Sequence, residues 1–310
     1  MNSTPEPSKP ERVSIVSAVD EHLPNLEVWF QALCSQTLSP DRCEIIVVDP
    51  THEADYEGAL KRFRAETEVR ADIRCHRVQR GGRAQALNRA LELATGDLII
   101  FLGDDFLPPP GFAEAHLKFH ECHPEAEAVG VSSAILAPEY RTPFSVWLEE
   151  SGQLFGVPFS AEMTEMPEDF FYVGNSSVKR KLLDRVGRFN ERFAHHAFDD
   201  FEYGQRLRAA GMKAQFVVDA RVEHIHCIDL PERERILRKA GAAIRVYESL
   251  YPENHSWLKT AKSFSWLQWL RVTAARFQLA AAGTDKALVT WWLTRLEAAV
   301  ACGYRKGVEN

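Results

Sequence analysis

Apolar residues fall into short continuous runs separated by stretches with helical spacing. Val13-Ser14-Ile15-Val16-Ser17-Ala18-Val19 reads as a short buried strand, and the apolar-periodic stretch Leu26 to Leu38, after a polar break, reads as a helix. Glu44-Ile45-Ile46-Val47-Val48-Asp49 is β-branched and stopped by Asp49-Pro50, which predicts a parallel strand covered on both faces. A helix from about Ala54 to Glu68, a strand over Ile73 to Val78, the Gly81-Gly82 break and a helix from about Ala84 to Ala94 follow. Thr95-Gly96 ends that helix, with glycine at its usual C-terminal place, and Asp97-Leu98-Ile99-Ile100-Phe101-Leu102 is a fourth strand. Strands alternating with helices over the first hundred residues predict βαβ units and a doubly wound parallel sheet.

Beyond Pro108 the pattern loosens into Pro-rich loops, with a helix near Phe112 to Cys122, strands near Ala128 to Ile135 and Phe170 to Val173, and a helix from Asp199 to Ala210. Asp229-Leu230-Pro231-Glu232 then offers a capping-box start with proline in the first turn. From there the chain reads as wholly helical, with stripes Ile236, Ala240, Ala243, Ile244, Tyr247; Leu267, Leu270, Ala274, Phe277, Ala281; and Leu288, Trp292, Leu296, Ala299, the last two divided at Gly283-Thr284. The expected organisation is a tail over 1–11, an α/β domain over 12–228 (a nucleotide-binding half 12–105 and an acceptor half 106–228) and a helical extension over 229–310.

The 310 residues carry 37 Lys and Arg against 44 Asp and Glu, a formal charge of −7, which disfavours a nucleic-acid partner. Neither the opening MNSTPEPSKPER nor any later window has the apolar run of a secretory signal or membrane span, so a soluble, cytoplasmic chain is expected. The six cysteines contain no CxxC pair and read as reduced thiols, which fits that setting.

Ligands of doubly wound sheets sit beyond the carboxyl ends of the strands, which picks out Asp49 and Asp104-Asp105. Hard oxygen ligands at the latter suit Mg²⁺ or Mn²⁺ carried by a nucleotide diphosphate, although a solvated turn also uses paired acids. Asp199-Asp200 either caps its helix or faces a cleft as a general base. In Val222-Glu223-His224-Ile225-His226, alternation puts both histidines on one face, where each is a core residue unless a metal is near. Gly82-Arg83-Ala84-Gln85-Ala86-Leu87-Asn88 places glycine and a basic side chain at a helix start, which suits a diphosphate. His195-His196, His120, Cys122 and His123 lie in no such context and are assigned no function.

Taken in order, the strand ending in Asp49, Gly82 to Ala90, Thr95 to Asp105, Val173 to Arg180, Val186 to Phe193, Asp199-Asp200 and Val222 to His226 resemble the family 2 glycosyltransferases over about residues 12 to 228. The resemblance implies the α/β GT-A fold, a Rossmann-like nucleotide-diphospho-sugar transferase domain, here with the C-terminal helical extension. It also implies inverting transfer of a sugar from a nucleotide diphosphate donor, with a UDP-sugar favoured, to a glycan, lipid-linked or other hydroxyl acceptor. Asp200, paired with Asp199, matches the catalytic base. Asp49, Arg83, Asn88 and Asp104 match donor-binding positions, and Asp105 with His224 the holders of Mn²⁺ or Mg²⁺. The chain departs from the family pattern at Arg83 (usually Lys), Gly103 (usually the first metal-motif acid), Asp199 (usually Glu) and Ala18-Val19-Asp20-Glu21 (usually Pro-Thr-Tyr-Asn). Two other classes compete with this reading: a degenerate copy that binds without turnover, and a nucleotidyltransferase, which leaves Asp199-Asp200 and His224 unexplained. Trp266, Trp269, Trp291 and Trp292 with Arg271, Arg276 and Arg295 suggest a helical core, a homodimer interface or a peripheral contact with the inner face of a membrane.

Overall fold

The computed structural model describes residues 10–19, 26–51, 55–67, 71–78, 81–156, 160, 162–165, 167, 170–193, 198–252 and 285–306. These divide into two compact units, residues 1–191 with 199–227, and residues 192–198 with 228–310.

The first unit is built on strands β1 (Val13–Ala18), β2 (Cys43–Asp49), β3 (Asp72–Arg77) and β4 (Leu98–Leu102), joined by helices α1 (Leu26–Cys34), α2 (Tyr56–Glu66) and α3 (Arg83–Leu93). β5 (Phe106–Leu107), α4 (Phe112–Cys122), β6 (Ala128–Val131), β7 (Ala134–Leu136), α5 (Pro143–Glu150), β8 (Asn175–Lys179), α6 (Arg180–Val186), α7 (Asp199–Ala209), β9 (Lys213–Phe216) and β10 (Val222–His224) complete it. The main sheet has the order β3-β2-β1-β4-β8-β6-β9, and a small sheet has the order β5-β10-β7. Only β8 runs against its neighbours in the main sheet. All residues of β1, β2 and β4 are buried, as strands covered on both faces must be.

Burial forces the polar residues of these strands into closed networks. Glu44, at the start of β2, accepts from Ser14 Oγ (2.6 Å), Thr95 N (2.6 Å) and Thr95 Oγ1 (2.9 Å) and pairs with Arg74. Burial alone would raise its carboxyl, but these donors and Arg74 outweigh burial and lower it. Gly96 follows from the same network. α3 ends with Ala94 in extended backbone, and a Cβ at position 96 would come 2.7 Å from Ser14 N. The glycine therefore allows close approach to β1 and is not the helix's left-handed cap.

Several predicted elements are corrected. The segment Phe170 to Val173 is not a strand: Phe171, Tyr172 and Val173 pack as side chains into the core, with Phe171 edge-on to Phe101. The strand is instead Asn175–Lys179, polar in sequence yet buried throughout. His116 explains this, reaching Ser177 Oγ (2.9 Å) and Asn175 Oδ1 (3.0 Å), while Asn175 donates to Ala220 O (2.7 Å) and Lys179 Nζ to Glu125 O (2.7 Å). The predicted strand from Ala128 to Ile135 is two strands in different sheets, broken at Ser132-Ser133, and the first helix stops at Cys34. α5, α6, β5 and β9 lie where only loops are expected, α5 started by a Thr142 capping box with Pro143.

The second unit contains α8 (Leu230–Leu250) and α9 (Asp285–Lys306). Asp229 caps α8, accepting from Glu232 N at 2.8 Å. The stripe Ile236, Ala240, Ala243, Ile244 and Tyr247 is buried, as are Trp292, Leu296 and Ala299. The helices meet backbone to backbone: a Cβ on Gly241 would overlap the Val300 carbonyl, and one on Gly303 the Arg238 carbonyl. The stripe from Leu267 to Ala281, the Gly283-Thr284 division and Trp266 and Trp269 lie outside the described residues. Among the described residues no helix is long and apolar enough to cross a membrane.

Burial pushes the His116 imidazole down to about 4, against one hydrogen bond to Asn175 Oδ1. Between its ordinary value of 6.5 and about 4, the unfolded chain takes up a proton that the native chain refuses, so stability falls as pH falls through that window. We expect the unfolding free energy from urea titrations to fall between pH 7 and pH 4, by about 3 kcal/mol from this group. His116→Gln should flatten that slope while lowering stability at pH 7.

Candidate active site

The carboxyl ends of the parallel strands gather most of the predicted residues. Asp49 closes β2; its side chain is buried, and Oδ1 accepts from Thr51 N and Thr51 Oγ1, both at 2.8 Å. Arg77 Nε, at the end of β3, lies 3.8 Å from Asp49 Oδ2. β4 ends at Leu102, and Asp104 and Asp105 follow in the turn before β5, with Asp104 buried. Gly103 donates to Gly174 O at 2.9 Å, and a Cβ there would meet Asp105 Oδ1 at 3.0 Å. The glycine therefore leaves room beside that carboxylate.

The small sheet brings Asp105 and the histidines together. β10 pairs antiparallel with β5, placing His224 opposite Phe106, and Ile225 N donates to Asp105 O at 2.9 Å. His224 Nε2 lies 2.9 Å and His226 Nδ1 3.5 Å from the same oxygen, Asp105 Oδ2. Phe106 and Phe155 stand edge-on to the buried His224 ring at 5.2 and 5.3 Å, fixing its plane. Burial works against the Asp105 charge, but His224 and His226 outweigh it and hold the carboxyl well below the usual range.

One oxygen and two nitrogen donor atoms here lie within 4.8 Å of one another. A carboxylate and two imidazoles form a mixed oxygen and nitrogen donor set of the kind that holds first-row divalent ions. His226 was not among the predicted ligands. Its signal was the alternation over Val222 to His226, which puts it on the face of His224.

Two residues expected to bind the donor make well-defined contacts within the protein. Asn88 is buried; its amide donates to Phe189 O (3.0 Å) and Glu191 Oε1 (2.8 Å) and accepts from Phe189 N (2.8 Å). Both its N–H groups are thus committed to pinning the 189–191 segment, which makes it a structural clamp. Arg83 begins α3 just after Gly82 but turns its guanidinium onto Asp199, with Nε 2.8 Å from Oδ2 and Nη2 2.6 Å from Oδ1. The physical reason is that Asp199 is fully buried and requires a counterion. The same Nη2 lies 3.3 Å from Oδ2 of the partly exposed Asp200. The predicted acid pair is therefore tied to the start of α3, at the carboxyl edge of the sheet.

The family model for glycosyl transferase family 2 matches residues 14–189. The chain belongs to this family. This family 2 glycosyltransferase is 25% identical to the uncharacterized glycosyltransferase YfnE of Bacillus subtilis (strain 168), over 58% of the chain and 57% of that protein. It is also 25% identical to the hyaluronan synthase of Pasteurella multocida, over 53% of the chain and 19% of that protein. It thus spans little more than half of one curated relative and a fifth of the other. Among solved structures it is similar to the mannosyltransferase PcManGT from Pyrobaculum calidifontis in complex with GDP-Man and Mn²⁺, with a TM-score of 0.59 and 21% identity over 98% of this chain and 89% of that one. S. aureus TarS 1-349 in complex with UDP-GlcNAc gives a TM-score of 0.55 and 12% identity over 96% and 93%. The α/β architecture is the GT-A fold, here with a C-terminal helical region.

Because the Asn88 amide donates to Phe189 O and Glu191 Oε1 and accepts from Phe189 N, Asn88→Ala should lower stability by about 1–3 kcal/mol, read from urea unfolding.

Proposed function

We propose that the chain is a metal-dependent, inverting glycosyltransferase that moves a sugar from a nucleotide diphosphate donor to a hydroxyl acceptor, with Asp200 as general base. The observation that carries this reading is the gathering of two chemically distinct groups at the carboxyl edge of one sheet. One is the Asp105, His224 and His226 cluster; the other is the Arg83-linked acid pair, whose partly exposed member is Asp200. Solved proteins of this fold hold GDP-Man with Mn²⁺, or UDP-GlcNAc. A UDP-sugar is the first donor to test and GDP-mannose the second. The acceptor is a glycan, a lipid-linked sugar or another hydroxyl compound. The reading includes a cytoplasmic location with peripheral membrane contact or homodimerisation through the C-terminal helices, supported by unpaired cysteine thiols among the described residues.

In this mechanism Asp49 holds the nucleoside and Asp104 the donor's phosphate-proximal part, while Asp105, His224 and His226 hold the divalent ion. A bound cation would supply charge neutralisation to the departing diphosphate. Asp200 accepts the acceptor hydroxyl's proton as that oxygen bonds to the anomeric carbon. The bond from that carbon to the diphosphate oxygen breaks as the new one forms, and the nucleoside diphosphate leaves with the electron pair. A single in-line displacement inverts the anomeric centre and requires no covalent enzyme intermediate.

Asp200→Asn is expected to lower turnover by about 10²-fold or more with the donor dissociation constant nearly unchanged. Full activity in this variant would overturn the assigned base. In thermal-shift experiments Mn²⁺ with UDP should stabilise the wild type more than either alone, by mass action on the native state. Asp105→Asn and His226→Ala should lose that synergy; its retention in both would overturn the assigned metal site.

A further inference from the structure

We propose that Arg83 is a positioning residue for the acid pair, holding Asp200 in place through Asp199, and that Arg83 and Asp199 form a matched unit. The proposal rests on the reading of Asp200 as base. Three observations carry it.

The first is the geometry: a planar guanidinium meets both oxygens of a fully buried carboxylate at 2.8 and 2.6 Å, and reaches toward Asp200 with the same terminal nitrogen at 3.3 Å. A fork of two parallel charged hydrogen bonds fixes orientation as well as distance, which a lysine ammonium does not do. The second is backbone strain. Phe198, immediately before Asp199, has a φ of 70° and is the only non-glycine with positive φ among the described residues. A bulky residue holds this conformation only where its surroundings over-determine it. Phe198 packs on Tyr247, and the residue after it, Asp199, is the one the fork holds, so that α7 starts at a fixed point opposite the first residue of α3. The third is burial: the Arg83 side chain is 15% exposed and that of Asp199 0%, so little water competes for the fork.

The test compares Arg83→Lys, Asp199→Glu and the double variant in the full chain, by amide hydrogen exchange over residues 199–205 and by Mn²⁺-dependent release of nucleoside diphosphate from UDP-GlcNAc and GDP-mannose. Each single variant should exchange about tenfold faster in the first turn of α7, with β1, β2 and β4 unchanged, and the double variant should recover most of that protection. Turnover should fall and recover in the same order, at nearly constant KM. Wild-type exchange in both singles, or a double variant no better than their combined loss, overturns the proposal. Full turnover in Asp200→Asn overturns the base assignment alone, because the exchange result does not depend on it.

Discussion

A carboxylate buried in an α/β core has to be answered by charges or donors of the protein's own, and this constraint organises both ends of the main sheet. At the amino end of β2, Glu44 takes donors from Ser14 and Thr95 and the charge of Arg74, and the network ties β1, β2, β3 and the end of α3 into one block. Removing one partner of such a buried pair costs about 3–5 kcal/mol, a large part of a typical domain's stability. At the carboxyl end the acids are answered less completely, and they differ in how. Asp199 is saturated by a two-pronged guanidinium, Asp105 shares one oxygen between two imidazoles, and Asp200 keeps a quarter of its side chain open to solvent.

The first hundred residues were legible because their strands β1, β2 and β4 are apolar and covered on both faces, and because glycine marks their turns. The segment from Pro108 to β10 was not, for a reason visible in β8. Its sequence, Asn-Ser-Ser-Val-Lys, carries no hydrophobic period, yet every residue is buried, since His116, His120 and backbone carbonyls supply the hydrogen bonds that burial demands. The preceding aromatic run at Phe170 to Val173 has the composition of a strand and fills core space instead. Hydrophobic periodicity reads transfer to an apolar environment and is blind to polar networks that close on themselves.

The site was legible residue by residue but not as an arrangement. Asp49, Asp105, His224 and the pair Asp199-Asp200 all fall at the carboxyl edge, where the topology of a doubly wound sheet places ligand groups. Side-chain direction was the missing information. Arg83 begins α3 and Asn88 sits about one and a half turns further on, yet one faces Asp199 and the other Phe189 and Glu191, about a hundred residues away in sequence. No local pattern reports such partners. His226 shows the converse, since strand alternation alone placed it beside His224.

These long-range partners explain how two chemical centres are held by one scaffold. The metal-site residues are fixed through the small sheet, whose β5 follows directly from β4 and whose β10 delivers the histidines. The acids at α7 are fixed through α3, which follows the β3 turn and packs on β1 and β2. Both routes lead back to the parallel strands at the centre of the sheet, which are the most completely buried part of the first unit. A displacement of either centre must therefore deform a close-packed interior, and such interiors resist sub-ångström change. That rigidity is what the proposed in-line displacement would ask of its scaffold, since the attacking oxygen, the anomeric carbon and the leaving diphosphate would have to be aligned before the proton moves.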